Sequence, residues 1–411
     1  MSVGYKIAAE TASAKRVDSQ KTRSAYRWVI LFVVWFGFLL SFVDRLLWTS
    51  VATVASSSLG VPIAALGAFV TAFYIGYVFS TALTGLASDR IGPRLMLTIA
   101  LLPLGAFTFL FGNSKSVPIL LSLQALMGLT AGADFSAGVK LIISWFGPRE
   151  RGRAMGLFTT ATSFGVVLTN TIAPHALEYL SWTDIYHVAG LFTSIFGIVC
   201  YMLLRDNPNS SVSEKAEWVD VRHALANRQY IWAVLAGFGG VWGTLGFAIW
   251  ANALMISALK LSAVTAGAIV ASFGLAAIIS KPAIGLLSDW LGGRRKMLAV
   301  LDLLVFAALL MLTGTLRSET QLWMMAPVLG FFAFGFTPLT NAIAAEAGGK
   351  AAGTAAGIYS SIGSIGTSIV PLVVGAVFQA TQSYEVAFAV LAMGPFFATL
   401  CMIPVRDTNL I

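Results

Sequence analysis

Twelve apolar runs, each near the length of a bilayer crossing, follow one another along the chain with short polar breaks between them. They fall near 27–51, 64–86, 95–113, 117–146, 153–176 and 183–204, then near 229–257, 263–287, 297–315, 320–344, 352–379 and 384–404. Roughly 20 apolar residues carry a helix across the hydrocarbon layer, so each run predicts one membrane helix. Two longer polar stretches frame them. The basic leader at 1–26 lacks a small-residue cleavage site behind a short apolar stretch, so the first helix is expected to be retained. The segment 205–228, with Asp206, Pro208, Ser210, Ser211, Glu214 and Lys215, reads as a linker between a bundle at 27–204 and another at 229–404, leaving a short tail at 405–411.

Two of the polar breaks are near-copies. Gly85-Leu-Ala-Ser-Asp89-Arg90-Ile-Gly92-Pro-Arg94 follows the second run, and Gly285-Leu-Leu-Ser-Asp289-Trp-Leu-Gly292-Gly-Arg294-Arg295 follows the eighth, 200 residues later. A repeat at that period among membrane-length segments means two homologous halves. The expected fold class is an all-α membrane protein of 12 transmembrane helices in two pseudo-symmetric six-helix bundles. The loop pattern, a Gly, an Asp four residues on, a Gly three further and one or two Arg, resembles the signature of the major facilitator superfamily. The resemblance implies that the loop Asp latches one half to the other while the cytoplasmic side is closed. Asp89 would face the start of the eleventh helix near Gly353 and the cluster Arg149, Arg151 and Arg153. Asp289 would face the start of the fifth helix and the end of the tenth near Glu346. A carboxylate so placed accepts hydrogen bonds from an opposing helix N-terminus and from basic side chains. The expected gate comprises Asp89, Arg90, Arg94, Arg149, Arg153, Asp289, Arg294 and Arg295; a solvated basic loop is the plainer alternative.

Composition settles the solvent. The chain is 57% hydrophobic and 11% charged, with a mean hydropathy of +0.83, whereas a soluble globular chain carries about a quarter charged residues. With the amino terminus taken as cytoplasmic, 20 of the 26 Lys and Arg lie on that side. Lys115, Lys260 and Arg317 fall on the other side, and Arg45, Lys140 and Lys281 fall within runs. That bias predicts a multi-pass protein of the plasma (bacterial inner) membrane with both termini cytoplasmic. The net charge of +8 is then a topology signal set against anionic headgroups, and no nucleic-acid partner is expected.

Several chemistries lack their residues. No Gly-x4-Gly-Lys-Ser/Thr loop supports direct ATP drive. The three His, at 175, 187 and 223, have no ligand spacing, so no metal site is expected. No nucleophile arrangement stands out, and no enzyme activity or cofactor is expected. Cys200 and Cys401 lie in apolar runs and read as packing residues. A carrier driven by an ion gradient remains.

Charges inside the bilayer are costly and default to functional candidates. Asp44 and Arg45 interrupt the first run; adjacent helix residues do not face each other, so each needs its own partner. Asp134 lies deep in the fourth run, and Lys140 nearer its cytoplasmic end, where it either snorkels or meets substrate. A carboxyl group in a dry cavity can exchange protons near neutral pH, which makes Asp134 a proton-carrier candidate. Lys281 and Asp302, each within three turns of the inner face, read as structural. Polar and ring-bearing residues punctuate the seventh run (Trp242, Trp250, Asn252), the tenth (Thr337, Thr340, Asn341) and the eleventh (Tyr359, Ser360, Ser364); Trp242 and Asn341 are taken as cavity lining.

Asp44-Arg45 and the segment Ser144-Trp-Phe-Gly-Pro-Arg-Glu-Arg-Gly-Arg153-Ala-Met-Gly resemble the anion:cation symporter branch of the superfamily, which carries organic and sugar acids. The resemblance implies that Arg45 binds the substrate carboxylate and that Asp44 takes part in proton coupling. Tyr77 matches a substrate-facing tyrosine, and Thr162 and Ser360 stand where the branch often has amide side chains. Gln124 replaces the Arg usual four residues before Gly128, and Ala131 stands where a Glu is frequent, with Asp134 about one turn further on. The expected site is thus Arg45, Tyr77, Gln124, Lys140, Thr162, Trp242, Asn341 and Ser360 for substrate, with Asp44 and Asp134 for protons. The expected function is proton-coupled symport of a small organic anion by alternating access, in a monomer. A drug or metabolite:proton antiporter is the alternative within transport, although the fifth run lacks the Gly-x3-Gly-Pro motif of drug exporters. A transporter-like solute sensor is the alternative outside it, although the short linker offers little surface for a signalling partner.

Overall fold

The structure, a computed structural model, describes the backbone of residues 2–62, 65–146, 148–206, 222–223, 225–291, 294–348 and 352–406. Side chains are described from residue 25 onward, apart from those at 65, 82–83, 85–90, 148–149, 151–153, 289, 345, 348, 352–354 and 356. Among the described residues every regular element is a helix. These are α1 (Ser2–Leu59), α2 (Ala65–Ile91), α3 (Pro93–Asn113), α4 (Val117–Ala131), α5 (Asp134–Trp145), α6 (Pro148–Ala176) and α7 (Trp182–Leu203). They continue as α8 (Arg228–Leu259), α9 (Ala263–Trp290), α10 (Arg295–Thr315), α11 (Glu319–Gly348), α12 (Ala352–Thr381) and α13 (Tyr384–Met402). Ten stretches are long and apolar enough to cross a membrane, α4 and α5 together counting as one, and Leu66–Thr81 of α2 is a shorter apolar helix. α6 completes the twelve; its opening turns, Pro-Arg-Glu-Arg-Gly-Arg, make it the most polar of the set. Most of the linker expected at 205–228, namely 207–221 and 224, lies outside the described residues.

The fourth crossing is not the single helix expected over 117–146. It breaks at Gly132 and Ala133, and the groups freed there find partners. The Gly132 carbonyl accepts from Thr84 Oγ1 at 3.2 Å, and the Phe135 N–H donates to the Asp134 carboxylate. A broken helix inside a membrane is tolerable only when its orphaned backbone groups are satisfied in this way.

Packing repeats between the halves. α2 lies on α4, α3 on α7 and α1 on α6; likewise α9 lies on α11, α10 on α13 and α8 on α12. Glycines set the closest of these approaches. A Cβ at Gly128 would sit 1.8 Å from the Phe73 carbonyl oxygen, and one at Gly330 would sit 2.1 Å from that of Phe273, so no larger residue fits at either crossing. The halves meet through α2 on α12, α6 on α9 and α1 on α8.

Arg27, Arg94, Arg205, Arg228, Arg295 and Arg406 mark one end of the bundle, the basic end; Lys115, Lys260 and Arg317 mark the far end. The halves are pressed together toward the far end. A Cβ at Gly67 would lie 2.3 Å from the Pro371 carbonyl oxygen, and one at Gly267 would lie 2.3 Å from that of Asn170. Thr71 Oγ1 donates to the Ser368 carbonyl at 2.6 Å, and Asn252 Nδ2 to Asn170 Oδ1 at 2.5 Å. Toward the basic end the same family of helices carries Gly156, Gly285 and Gly357, where an added Cβ would meet nothing within 4 Å. Among the described residues, this conformation is sealed at the far end and parted at the basic end.

Candidate functional site

α1 carries its two adjacent charges to different faces, about 100° apart, as the helical turn requires. Arg45 turns toward α2 and α5. Its guanidinium lies 4.2 Å from the centre of the Tyr77 ring, 4.9 Å from Phe42, 5.4 Å from Phe73 and 5.7 Å from Tyr74. Its Nη2 stands 3.6 Å from Asp134 Oδ2. Arg45 is 8% exposed and Asp134 is fully buried. Ring faces attract a cation by about 0.5–2 kcal/mol each, so the cage helps hold the guanidinium, with the Tyr74 and Tyr77 side chains also in polar contact with it. Nε and Nη2 of Arg45 have no hydrogen-bond partner among the described residues. The planar fork offers five donors matched to a carboxylate, and Nε and Nη2 leave part of that capacity unspent.

Asp134 owes its place to the helix break. As the first residue of α5 it accepts from the next backbone N–H, while Ser41 Oγ of α1 donates to Oδ2 at 2.5 Å. One oxygen therefore touches both a hydroxyl and the guanidinium. A proton arriving there weakens the pull on Arg45 and leaves the cation for another anion.

Asp44 faces away from this pair. It is 1% exposed, its polar neighbours are Thr108 of α3 and Thr193 of α7, and neither carboxylate oxygen accepts a hydrogen bond. Gln124, expected beside substrate, is instead buried against Tyr186 of α7, on the same side as Asp44. Gln124 and Asp44 thus belong to a polar cluster inside the first bundle, separate from the cage around Arg45.

The second half contributes less than expected at Trp242. Its indole N–H donates to the Val390 carbonyl at 3.0 Å and its ring packs on Gly394, both on α13, which directs it away from α1 and α2. Asn341 is exposed on α11 and Ser360 half-buried on α12, where its carbonyl accepts from Ser364. Lys140 is half-buried on α5, six residues past Asp134. Thr162 of α6 receives an unforeseen partner: Lys281 of α9, read from the sequence as structural, reaches across the boundary between the halves to donate to Thr162 Oγ1 at 3.1 Å.

At the basic end, Asp89, Arg90, Arg149, Arg153 and Asp289 of the expected gate have side chains outside the described residues. Arg94 donates to the Tyr201 carbonyl at 2.6 and 3.1 Å, which ties α3 to α7 within one half. Arg295 pairs with Glu346, linking α10 to α11, and Arg294 stands exposed just before α10 with no side-chain capping bond. Arg27 and Glu150 join α1 to α6 at 2.6 Å. Each of these pairs stays inside its own half, in keeping with a parted basic end.

Sequence reasoning missed Ser41, Phe42, Phe73, Tyr74 and Lys281. Ser41 had a usable signal, since it stands four residues before Arg45 and shares its helix face. The ring cage had a weaker one in the cluster Phe73-Tyr74-x2-Tyr77.

The family model described as the Major Facilitator Superfamily matches residues 33–371 and 247–409. Among similar proteins, the probable galactarate/D-glucarate transporter GudP of Bacillus subtilis (strain 168) is 22% identical, covering 92% of this chain and 91% of that protein. The membrane sensor protein UhpC of Salmonella typhimurium is 28% identical, with 94% of each chain covered. A solved structure of a bacterial homolog to the human lysosomal transporter Spinster, inward-facing and unoccupied, superposes with a TM-score of 0.73 at 13% identity over 92% of this chain and 95% of that one.

Proposed function

The chain belongs to the Major Facilitator Superfamily, and from that premise we propose that it is a proton-coupled importer of a small organic anion. One observation carries the reading: a buried guanidinium held by aromatic rings, with Nε and Nη2 free of hydrogen bonds and, among the described residues, one acidic partner 3.6 Å away. A charged group at membrane depth costs about 2.5–3.5 kcal/mol on insertion scales, so an arginine kept there with unused donors has a purpose beyond packing. The likeness to a transporter named for galactarate and D-glucarate supports an acidic cargo.

The cycle follows from the charges. With Asp134 ionised, the pair Arg45–Asp134 is self-compensated and holds anions weakly. A proton on Asp134 releases Arg45, the substrate carboxylate takes the free donors, and the charge on Arg45 is again compensated. A compensated charge crosses the closed intermediate at lower cost than a bare one, and the halves then rock about it. The basic end is assigned to the cytoplasm from the 20-to-3 placement of Lys and Arg, so both termini are cytoplasmic and the chain spans the plasma membrane. In that orientation the conformation described here faces inward. The bundle at 27–204, the linker at 205–228 and the bundle at 229–404 form the moving parts, and one copy holds a complete site.

Liposome counterflow with labelled organic acids tests this. A symporter exchanges labelled for unlabelled anion across the bilayer and accumulates it under an inward proton gradient. The likeness to UhpC favours a second reading, a sensor that binds a solute without moving it. Ligand raises the melting temperature of either protein by mass action, but a sensor gives no counterflow.

A further inference from the structure

We propose that Lys281 is a second anion-binding group and that the cargo is a dianion, with one acidic group on Arg45 and another on Lys281; the inference rests on the transporter reading above. The Nζ of Lys281 donates to Thr162 Oγ1 at 3.1 Å, to Ser163 Oγ at 3.3 Å and to the Thr159 carbonyl at 3.5 Å, and stands 5.0 Å from the Phe334 ring. Every one of these partners is neutral. Among the described residues Lys281 makes no ion pair, whereas Arg27, Arg45, Arg295 and Arg317 each do. An ammonium partly withdrawn from water, as the half-buried Lys281 is, keeps its charge most cheaply beside an anion, and hydroxyls provide just part of that.

The two cations address the same stretch of α6 from opposite halves. Phe42, whose ring lies beneath the Arg45 guanidinium, packs against Gly165, where an added Cβ would sit 3.0 Å from it. Ser163 and Thr162, the partners of Lys281, are two and three residues away. The other buried acids look elsewhere: Asp44 toward α3 and α7, and Asp302 against Gly335 of α11. Once Asp134 carries a proton, the centre holds two positive charges, from Arg45 and Lys281. A monoanion leaves one of them uncompensated; a dianion leaves none. An acidic group that draws Lys281 away from α6 also removes hydrogen bonds that tie the two halves together in this conformation.

The test compares galactarate, with a carboxylate at each end, and gluconate, of equal carbon number with one carboxylate, by counterflow in liposomes holding the full-length protein. Wild type is expected to exchange galactarate. Lys281→Gln should lower galactarate exchange by at least about tenfold, as expected when one buried charge contact is truncated. The same change should move gluconate exchange far less, and Lys281→Arg should retain most galactarate exchange. Wild type that exchanges gluconate but not galactarate overturns the dianion assignment and leaves the transporter reading standing. Equal loss of both substrates in Lys281→Gln makes Lys281 a structural tie and overturns it also. Exchange of no organic acid by wild type sinks both readings together.

Discussion

The two halves share a scaffold and differ at its centre. Trp48 and Trp250, both fully buried, stand 202 residues apart, as do the close-packing glycines Gly128 and Gly330. At that spacing Arg45 corresponds to Phe247 and Asp134 to Phe336. The contacts correspond as well: the Arg45 guanidinium lies 5.4 Å from the Phe73 ring, and the Phe247 ring lies 4.5 Å from that of Phe273. One half therefore holds an ion pair where the other holds two phenylalanines. The crossing that bears Asp134 is broken at residues 132–133, while its counterpart α11 runs unbroken from Glu319 to Gly348. The repeated frame is common to both halves, and the buried ion pair is found in one of them. The second half adds its own cation elsewhere, at Lys281, on the boundary instead of in the bundle.

The largest expected effect comes from emptying either centre. Arg45→Ala should abolish counterflow of an anionic substrate, because the carboxylate loses the charged anchor in the aromatic cage. It should also lower the melting temperature, since removing Arg45 from its buried pair with Asp134 costs about 3–5 kcal/mol. Phe247→Ala should cost a similar amount of stability, about 3–5 kcal/mol for a core phenylalanine, yet leave residual anion exchange specific for the same substrates. Measuring exchange and melting temperature on both variants separates the two roles. Anion exchange surviving in Arg45→Ala would place the recognition site outside the first half.

A smaller and more selective effect is expected within the first half. Asp134 touches Arg45, whereas Asp44 sits among Thr108, Thr193 and Tyr186 with neither oxygen hydrogen-bonded. A carrier of the coupling proton has to sense substrate charge through the group that binds it. Asp134→Asn should therefore keep exchange while ending accumulation driven by a proton gradient. Asp44→Asn should leave both nearly unchanged, since the amide fills the same space. Accumulation assays at a fixed inward gradient distinguish them, and loss of accumulation in Asp44→Asn alone would transfer the coupling role to it.

The fold is legible in the sequence because lipid imposes a simple rule: each crossing must be a long apolar helix, and the repeat at Asp89 and Asp289 reveals the doubling. Arg45 and Asp134 are visible as charges where charge is costly. Their surroundings are not. That Asp44 and Arg45 diverge follows from helix geometry, but which one faces α2 depends on how α1 is rotated in the bundle. Gln124 and Trp242 look like cavity residues in the sequence, and the rotation of α4 and α8 turns them toward α7 and α13 instead. Gly132 is one glycine among 39, with nothing local to mark it as a break. Lys281 gains its importance from α6, more than 100 residues away in the chain, and no local pattern encodes that contact.

The smallest effects compare the sealed end with the parted one, and they should differ in sign. A methyl group at Gly67 would meet the Pro371 carbonyl oxygen at 2.3 Å, so Gly67→Ala must push α2 off α12. Overpacking of this kind costs about 1–3 kcal/mol. At Gly156 the same methyl group meets nothing within 4 Å, and alanine is the better helix former by about 1 kcal/mol. Gly67→Ala should lower the melting temperature of the purified protein, and Gly156→Ala should hold or raise it. Transport then reads the other half of the cycle. When the basic end closes, α6 is brought against the opposite half, so Gly156→Ala that melts normally but exchanges slowly marks a contact made only in the closed state. If both substitutions destabilise equally, the two ends are packed alike, and the assignment of this conformation as parted at the basic end is wrong.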